Sequence, residues 1–168
     1  MYTKMVTHAG AYFETSGATT GVNISKFMAV YKCPNMAADA DIVYTNTPIS
    51  GGMRGYGTPQ GMWVLEQLVD MAAEKIGMDP AEFRLKNYRG TGEPSWWPPC
   101  PNVSCALDEC IKIGAARIGW QEKREGKEEG VKRRGVSMAV FQFASGVYPL
   151  FMEHSSAFIK LDEDGSAA

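Results

Sequence analysis

The feature that constrains this chain most is a cluster of glycines between two regular elements. Four glycines fall within one short stretch, Gly51-Gly52-Met53-Arg54-Gly55-Tyr56-Gly57. The preceding residues, Asp41–Asn46, are rich in β-branched and aromatic side chains and predict a strand that stops at Thr47-Pro48. The following Thr58-Pro59 is typical of a helix start. The glycine loop therefore lies at a helix N-terminus, where backbone N–H groups and the helix dipole favour anions.

Hydrophobic periodicity predicts three helices. Thr58 caps the first, which carries apolar residues at helical spacing as far as Ile76 before Gly77 ends it. Asp79-Pro80 starts a second, short helix that ends near Asn87. Ser104 caps the third, whose apolar stripe ends at a glycine. Together with short strands, these elements predict an α/β (α+β) fold with mixed strands and three helices.

The remaining segments have weaker signals. The short run Phe27–Tyr31 fits a strand or a buried helix equally well. Gln121–Arg134 is mostly charged or glycine, and we expect a solvated linker there. Gly135–Phe143 and Ser156–Asp162 are expected to be strands, and Asp164-Gly165 is a hairpin-turn signal. Because no returning strand follows that turn, we expect the chain to be a section of a longer protein.

Charge and hydropathy exclude several classes of function. The chain has 17 Lys and Arg against 19 Asp and Glu, a net charge of −2, which leaves no basic surface typical of nucleic-acid binding. No apolar run reaches the ~18 to 20 residues of a membrane helix, and nothing marks export. The 4 cysteines are too few for a disulfide scaffold of this length. We expect a cytoplasmic protein with neither nucleic acid nor a membrane as partner.

By itself, the glycine loop does not identify a ligand. It is not a Walker A loop, because no Gly-Lys-Ser/Thr follows it. Nor is it a dinucleotide fingerprint, because its order is Gly52-x-x-Gly55-x-Gly57 and no second strand follows to present an acidic residue. Arg54 adds a permanently charged, forked donor. By spacing alone, the loop is either an anion site or a tight turn with a surface arginine.

Longer segments carry a resemblance to a known family. They are Thr45-Asn46-Thr47-Pro48, then Gly52-Met53-Arg54-Gly55-Tyr56-Gly57-Thr58-Pro59-Gln60, then Gly77-Met78-Asp79-Pro80-Ala81-Glu82-Phe83-Arg84-Leu85-Lys86-Asn87. Shorter matches are Gly10-Ala11-Tyr12, Tyr31-Lys32-Cys33-Pro34-Asn35, Leu107-Asp108-Glu109-Cys110 and Lys132-Arg133-Arg134-Gly135. In order and content they resemble an internal section of the molybdopterin-binding subunit of the xanthine dehydrogenase family.

The resemblance implies part of a molybdenum hydroxylase, an oxidoreductase acting on an aromatic heterocycle, an aldehyde or an aromatic acyl thioester. It implies that residues 1–92 end a first molybdenum-cofactor-binding domain and that residues 93–168 begin a second. The implied cofactors are molybdenum-molybdopterin, with [2Fe–2S] clusters and FAD on other chains or domains. The implied partners are the remainder of the molybdopterin subunit, iron–sulfur and flavin subunits, and a small-molecule substrate.

The resemblance also assigns roles within the loop. Gly52, Met53, Arg54 and Gly55 correspond to cofactor-binding positions, and Tyr56 corresponds to a substrate-binding position. The family's catalytic glutamate belongs to a C-terminal motif outside this section, so we expect no catalytic residue here and an inactive isolated chain. The alternative is a non-enzymatic assembly or interaction module that keeps the family fold without the metal.

One departure from the family pattern bears on the substrate. Purine-oxidising members of the family hold the substrate with an arginine upstream of the glycine loop. The corresponding stretch here, Gly21-Val22-Asn23-Ile24-Ser25, contains no arginine. A purine substrate is therefore disfavoured.

We expect the other residues that could act as a catalytic base or as metal ligands to have structural roles only. Gly90-Thr91-Gly92-Glu93-Pro94 looks like the family's catalytic motif, but nothing in a glycine–proline turn raises the pKa of Glu93. The remaining candidates share no metal-ligand spacing, and we expect no metal site among Cys100, Cys105, Cys110, His8 and His154.

Overall fold

Strands and helices alternate in the first half of the chain, and helices predominate after it. The computed structural model describes residues 1–95, 100–125, 131–143, 146 and 154–167. In chain order the elements are β1 (Tyr2–Gly10), α1 (Ser16–Phe27), β2 (Ala37–Tyr44), α2 (Thr58–Lys75), α3 (Pro80–Asn87), α4 (Leu107–Ile118) and α5 (Trp120–Glu125). This mixture confirms the predicted α/β fold class.

A parallel pair of strands forms the sheet in the described residues. β1 and β2 pair from Tyr2↔Ala37 onward, with an irregularity between His8 and Gly10. Parallel neighbours need a long crossover connection, and α1 supplies it. The hydroxyl oxygens of Thr7 on β1 and Thr20 on α1 are 2.9 Å apart, so α1 covers one face of the sheet.

The two helices with the clearest sequence signals, α2 and α3, form where the sequence predicts them. α2 and α3 match their predicted ranges to within a residue. Asp79 caps α3 by accepting hydrogen bonds from the N–H groups of Ala81 and Glu82, at 2.8 and 3.1 Å. The cap of α2 differs from expectation, because Gly57, with φ of +92°, occupies the N-cap position and Thr58 lies inside the helix. The third predicted helix, α4, begins at Leu107 rather than at Ser104.

The sequence did not predict two of the helices, α1 and α5. α1 buries polar residues, among them Ser16, Thr20 and Asn23, so it lacks the apolar stripe that marks a helix in sequence. α5 lies where a solvated linker was expected. It is anchored by Trp120, which is buried and whose indole N–H donates to Asp79 at 2.8 Å.

The two strands expected near the C-terminus are not sheet strands. Gly135–Phe143 forms no ladder with any described residue, and in Ser156–Asp162 only Leu161 makes an isolated bridge, to Ala167. A strand needs a neighbour that accepts its backbone hydrogen bonds, and the N–H of Val140 instead donates to a side chain, that of Glu66. The turn at Asp164-Gly165 does form.

A buried carboxylate lies at the centre of the core. Arg84 has no exposed surface, and its Nε and Nη2 atoms both lie 2.9 Å from Oε2 of Glu66. The Nη1 atom of Arg84 reaches Asp70 at 2.7 Å. Glu66 also accepts hydrogen bonds from the Tyr31 hydroxyl at 2.7 Å and from the Val140 N–H at 2.9 Å. Apolar side chains surround this network, including Phe27, Met28, Leu65, Val69, Ile111 and Trp120.

Burial and charge fix the protonation of this network. Desolvation raises the pKa of Tyr31, and the negative charge of Glu66 raises it further. Desolvation opposes the charge on Arg84, but the attraction of Glu66 and Asp70 outweighs it and raises the pKa of Arg84. Tyr31 therefore stays neutral and Arg84 stays charged across the physiological range.

No helix in the described ranges is long and apolar enough to cross a bilayer.

The buried pair predicts a large difference between two charge-removing substitutions. Glu66→Gln leaves the Arg84 guanidinium buried without its main counter-charge and is expected to lower the free energy of unfolding by about 3 to 5 kcal/mol. Glu82→Gln removes an exposed partner of Lys86 and is expected to cost less than about 1 kcal/mol. Urea denaturation measures both, and equal losses would contradict the assignment of Glu66 to the core.

Candidate functional site

The glycine loop is attached to the end of the sheet before it enters α2. The N–H of Thr45 donates to the C=O of Gly10, and the N–H of Ser50 donates to the C=O of Ala9, at 3.1 and 3.0 Å. The hydroxyl of Ser16, at the start of α1, donates to the C=O of Ser50 at 2.6 Å. The loop therefore starts from a position fixed by β1 and α1.

Hydrogen bonds within the protein use several donors of the loop. The N–H of Gly52 donates to the Thr15 hydroxyl at 2.7 Å, and the N–H of Tyr56 donates to the C=O of Met53 at 2.7 Å. The N–H of Thr58 donates to the C=O of Gly55 at 2.8 Å, and Pro59 has no N–H. The start of α2 consequently offers an anion fewer donors than an ordinary helix N-terminus.

Three consecutive residues of the loop have positive φ. Gly55, Tyr56 and Gly57 have φ of +88°, +44° and +92°, and Tyr56 is the one non-glycine residue with positive φ among those described. The Tyr56 ring lies directly against Gly52, where any Cβ would overlap it. A bulky side chain in this conformation costs about 1 to 3 kcal/mol, and such strain is concentrated at functional sites.

The charged and flexible side chains of the loop point outward. Met53 is 84% exposed and Arg54 is also exposed. Arg54 makes no hydrogen bond or ion pair with any residue in the described ranges. Tyr56 is half-buried, so part of its ring can meet a ligand. The structure thus brings together on one turn all five residues that the sequence assigned to the site.

An apolar cleft of about 620 Å³ begins beside the loop at Gly55 and Thr58. It runs along α2 and is closed on the other side by residues 137–143. Its walls include Pro59, Met62, Trp63, Met138 and Phe141. The sequence alone does not reveal this cleft, because its two walls are far apart in the chain. The second wall, residues 137–143, belongs to a segment that the sequence predicts to be a strand.

The surroundings of Glu93 do not suit a general base, because they lower the pKa of its carboxyl group. Lys32 lies 2.8 Å from its carboxylate, and the N–H of Gly90 donates to it at 2.9 Å. The hydrogen bond from Lys32, followed by that from Gly90, lowers the pKa of Glu93. A general base near neutral pH needs a raised carboxyl pKa, so this glutamate is a structural residue of the turn.

The histidines and cysteines do not converge within the described part of the chain. His8 and His154 are both exposed. The cysteine thiols are free. No group of three or more His, Cys, Asp or Glu residues with the spacing of a metal site occurs among the residues described.

Comparison with known proteins identifies relatives whose similarity extends over nearly the whole chain. The family model described as "Molybdopterin cofactor-binding domain" matches residues 1–88. The xanthine dehydrogenase molybdenum-binding subunit of Escherichia coli O157:H7 is 30% identical over 164 residues, which is 96% of this chain and 22% of that protein. The aldehyde oxidoreductase of Megalodesulfovibrio gigas is 31% identical over 157 residues, 94% of this chain and 17% of that protein. The chain thus spans about a fifth of the length of these relatives.

Solved structures give the same relationship. The aldehyde oxidoreductase from Desulfovibrio gigas superposes with a TM-score of 0.62 and 32% identity over 71% of this chain and 14% of that one. CO dehydrogenase from Oligotropha carboxidovorans superposes with a TM-score of 0.56 at 21% identity, over 71% of this chain and 16% of that one, which indicates a shared fold.

Alanine substitutions at two glycines of positive φ test whether close packing fixes the loop. A Cβ at Gly57 would overlap the C=O of Thr19 on α1, whereas nothing lies within 4 Å of one at Gly77, where φ is +67°. Both substitutions to alanine strain the backbone, but Gly57→Ala also forces α1 and the loop apart. We expect Gly57→Ala to cost about 1 to 3 kcal/mol more than Gly77→Ala in thermal or urea unfolding. Equal costs would show that the loop does not depend on this contact.

Proposed function

Because the chain belongs to the molybdopterin cofactor-binding domain family, we propose that it forms part of the cofactor pocket of a molybdenum hydroxylase. The observation that carries this proposal is the glycine loop, in which an exposed arginine without a partner in the described residues lies beside a strained tyrosine. Residues 1–92 belong to the first cofactor-binding domain in this proposal, and residues 93–168 begin the second.

The donor set of the loop fits a polar, anionic organic cofactor. The Arg54 guanidinium is a forked donor suited to phosphate and to carbonyl or ring acceptors. Gly52, Met53 and Gly55 surround this arginine in the chain, and the two glycines permit a tight turn in which the Tyr56 ring and Pro59 fill the space that a Cβ at Gly52 or Gly55 would take. When bound, molybdenum-molybdopterin supplies the oxidation–reduction chemistry of the reaction. Arg54 and the loop backbone bind and orient the cofactor.

Tyr56 has a different task in this proposal. Its ring is fixed against Gly52, and the residue before it in the chain, Gly55, lines the apolar cleft. A fixed aromatic face orients a planar substrate by stacking, which is worth about 0.5 to 1.5 kcal/mol. The substrate is an aldehyde, an aromatic heterocycle other than a purine, or an aromatic acyl thioester.

The complete enzyme requires polypeptide beyond residues 1–168. The remainder of the molybdopterin subunit contributes the other cofactor loops and the catalytic base, and iron–sulfur and flavin subunits or domains carry [2Fe–2S] clusters and FAD. The assembly acts in the cytoplasm. The isolated chain is inactive, because residues 1–168 contain no catalytic base of the family.

Substitutions in the assembled enzyme separate the roles of the two side chains. Arg54→Ala removes a charged donor worth about 1.5 to 3 kcal/mol and is expected to lower the molybdenum and pterin content per complex. Tyr56→Ala is expected to keep the molybdenum content and lower kcat/KM by about two- to tenfold. Arg117→Ala, which changes an exposed arginine on α4, is the matched control and leaves both quantities unchanged. Elemental analysis and steady-state kinetics measure them.

The outcomes distinguish the proposal from an assembly module. Wild-type molybdenum content and kinetics in both loop variants would show that the loop is only a turn. Absence of molybdenum and pterin from the unsubstituted complex would favour a non-enzymatic module with the family fold.

The isolated chain gives an independent prediction. Purified alone, it is expected to contain no stoichiometric molybdenum or iron and to show no hydroxylase activity, because the other cofactor loops are absent from residues 1–168. Elemental analysis that finds about one molybdenum atom per chain would contradict this.

A further inference from the structure

A small cavity of about 140 Å³ lies between the residues that follow α1 and α3, the start of α4 and residues 141–142. Apolar side chains form part of its wall, those of Val30, Leu107 and Phe141. Arg89 and Gln142 also line it. A cavity of this volume accommodates an organic molecule of about six non-hydrogen atoms.

Hydrogen bonds within the chain hold the walls of this cavity in place. The N–H of Arg89 donates to the C=O of Val30 at 2.9 Å. Another wall, residues 141–142, follows Val140, whose N–H donates to the buried carboxylate of Glu66 at 2.9 Å. The cavity is therefore formed before any ligand enters it, which lowers the cost of binding.

Two residues of the wall each have a buried polar atom without a hydrogen-bond partner in the part of the chain that the structure describes. These atoms are Nε of Arg89 and Oε1 of Gln142. The guanidinium uses a different atom, Nη1, to donate to the C=O of Pro94 at 2.7 Å. Residues of this chain alone shield both atoms from solvent, and a buried polar group without a partner is costly. Since one atom is a donor and the other an acceptor, a ligand that satisfies both must accept at one point and donate at another.

The charges beside the cavity favour an anion. Lys32 lies 2.8 Å from the carboxylate of Glu93 and is the main cause of the lowered pKa of that group, to which the charge of Arg89 adds a smaller effect. No carboxylate of a described residue lies within ion-pair distance of Arg89. Two cations therefore accompany one anion, and the guanidinium charge is left for a ligand.

We propose that this cavity binds a small hydroxycarboxylate anion of about six non-hydrogen atoms. Its carboxylate accepts a hydrogen bond from Nε of Arg89, its hydroxyl donates to Oε1 of Gln142, and its carbon chain lies against the apolar part of the wall. A carboxylate without a hydroxyl leaves Gln142 unsatisfied, and a neutral diol leaves the charge of Arg89 unpaired. Water alone makes no use of the apolar wall.

The site is separate from the cofactor loop but connected to the apolar cleft. None of the residues from Gly52 to Tyr56 lines the cavity, so the proposal does not rest on the proposed function. Phe141 lines both the cavity and the cleft. A ligand bound beside Phe141 therefore restricts the movement of one wall of the cleft.

The first test compares three probes of similar size, which are lactate, propionate and propane-1,2-diol. In NMR titrations of the chain at equal ionic strength, lactate is expected to shift the Nε–H resonance of Arg89 saturably. Its Kd is expected to be at least about tenfold lower than those of propionate and the diol. The absence of a saturable shift with lactate, or equal affinity for propionate, overturns the proposal. A crystal grown with lactate that holds only water in the cavity also overturns it.

Substitutions separate the two hydrogen bonds. Gln142→Leu removes the acceptor and is expected to raise the Kd for lactate about tenfold without raising that for propionate. Arg89→Met removes the charge and is expected to abolish binding of both anions. Gln121→Leu and Arg117→Met change exposed residues, serve as matched controls and keep the wild-type Kd.

The Gln142→Leu variant keeps the proposal falsifiable if Arg89→Met does not fold. It removes a buried polar atom that has no partner, so its melting temperature is expected to be no lower than that of the wild type. An unchanged Kd for lactate in this folded variant overturns the proposal.

Isothermal titration calorimetry on the assembled, molybdenum-containing complex tests the site among the other parts of the enzyme. Lactate binding in the complex supports the proposal. Loss of binding in the complex shows that further polypeptide fills the cavity, and this overturns the proposal. A complex that binds lactate but contains no molybdenum supports this site and counts against the proposed function.

Discussion

The carboxylate of Glu66 is the interaction on which the rest of this structure depends. It accepts hydrogen bonds from Arg84 on α3, from Tyr31 after α1 and from the backbone of Val140, 74 residues away. Because a buried carboxylate is stable only when its donors are in place, these segments cannot move independently of α2. One wall of the apolar cleft is α2 and the other contains Val140, so the width of the cleft depends on this carboxylate.

The fixed position of α2 also explains how the glycine loop keeps a strained conformation. At its beginning the loop is held by hydrogen bonds from Ser50 to Ala9 and from Gly52 to Thr15, and at its end it joins a fixed helix. Between these points Gly57 lies against Thr19, and the Tyr56 ring lies against Gly52. Surrounding contacts therefore offset the cost of positive φ at Tyr56. A loop preorganised in this way orders little on binding, which favours affinity for a cofactor or substrate.

The elements that could be predicted from the sequence are those with strong local signals for helix formation. α2 and α3 were predictable because apolar spacing, proline at the first turn and the Asp79 cap agree with one another. α1 was missed because its buried face carries threonine, serine and asparagine, whose burial depends on partners such as Thr7 that sequence does not reveal. The segment 135–143 has the composition of a strand, but a strand also requires a pairing neighbour. The five loop residues are predicted from a family resemblance, whereas the cleft depends on tertiary contacts that no local pattern encodes.

We propose that the loop from Gly52 to Tyr56 contacts a molybdenum cofactor in the assembled enzyme. The most direct test of this proposal is a cryo-electron microscopy map of the assembled, molybdenum-containing complex. We expect density for the pterin within hydrogen-bond distance of the Arg54 guanidinium, with the Tyr56 ring facing the substrate side of the metal. Cofactor density placed elsewhere, with Arg54 in contact only with solvent or another protein surface, would contradict it.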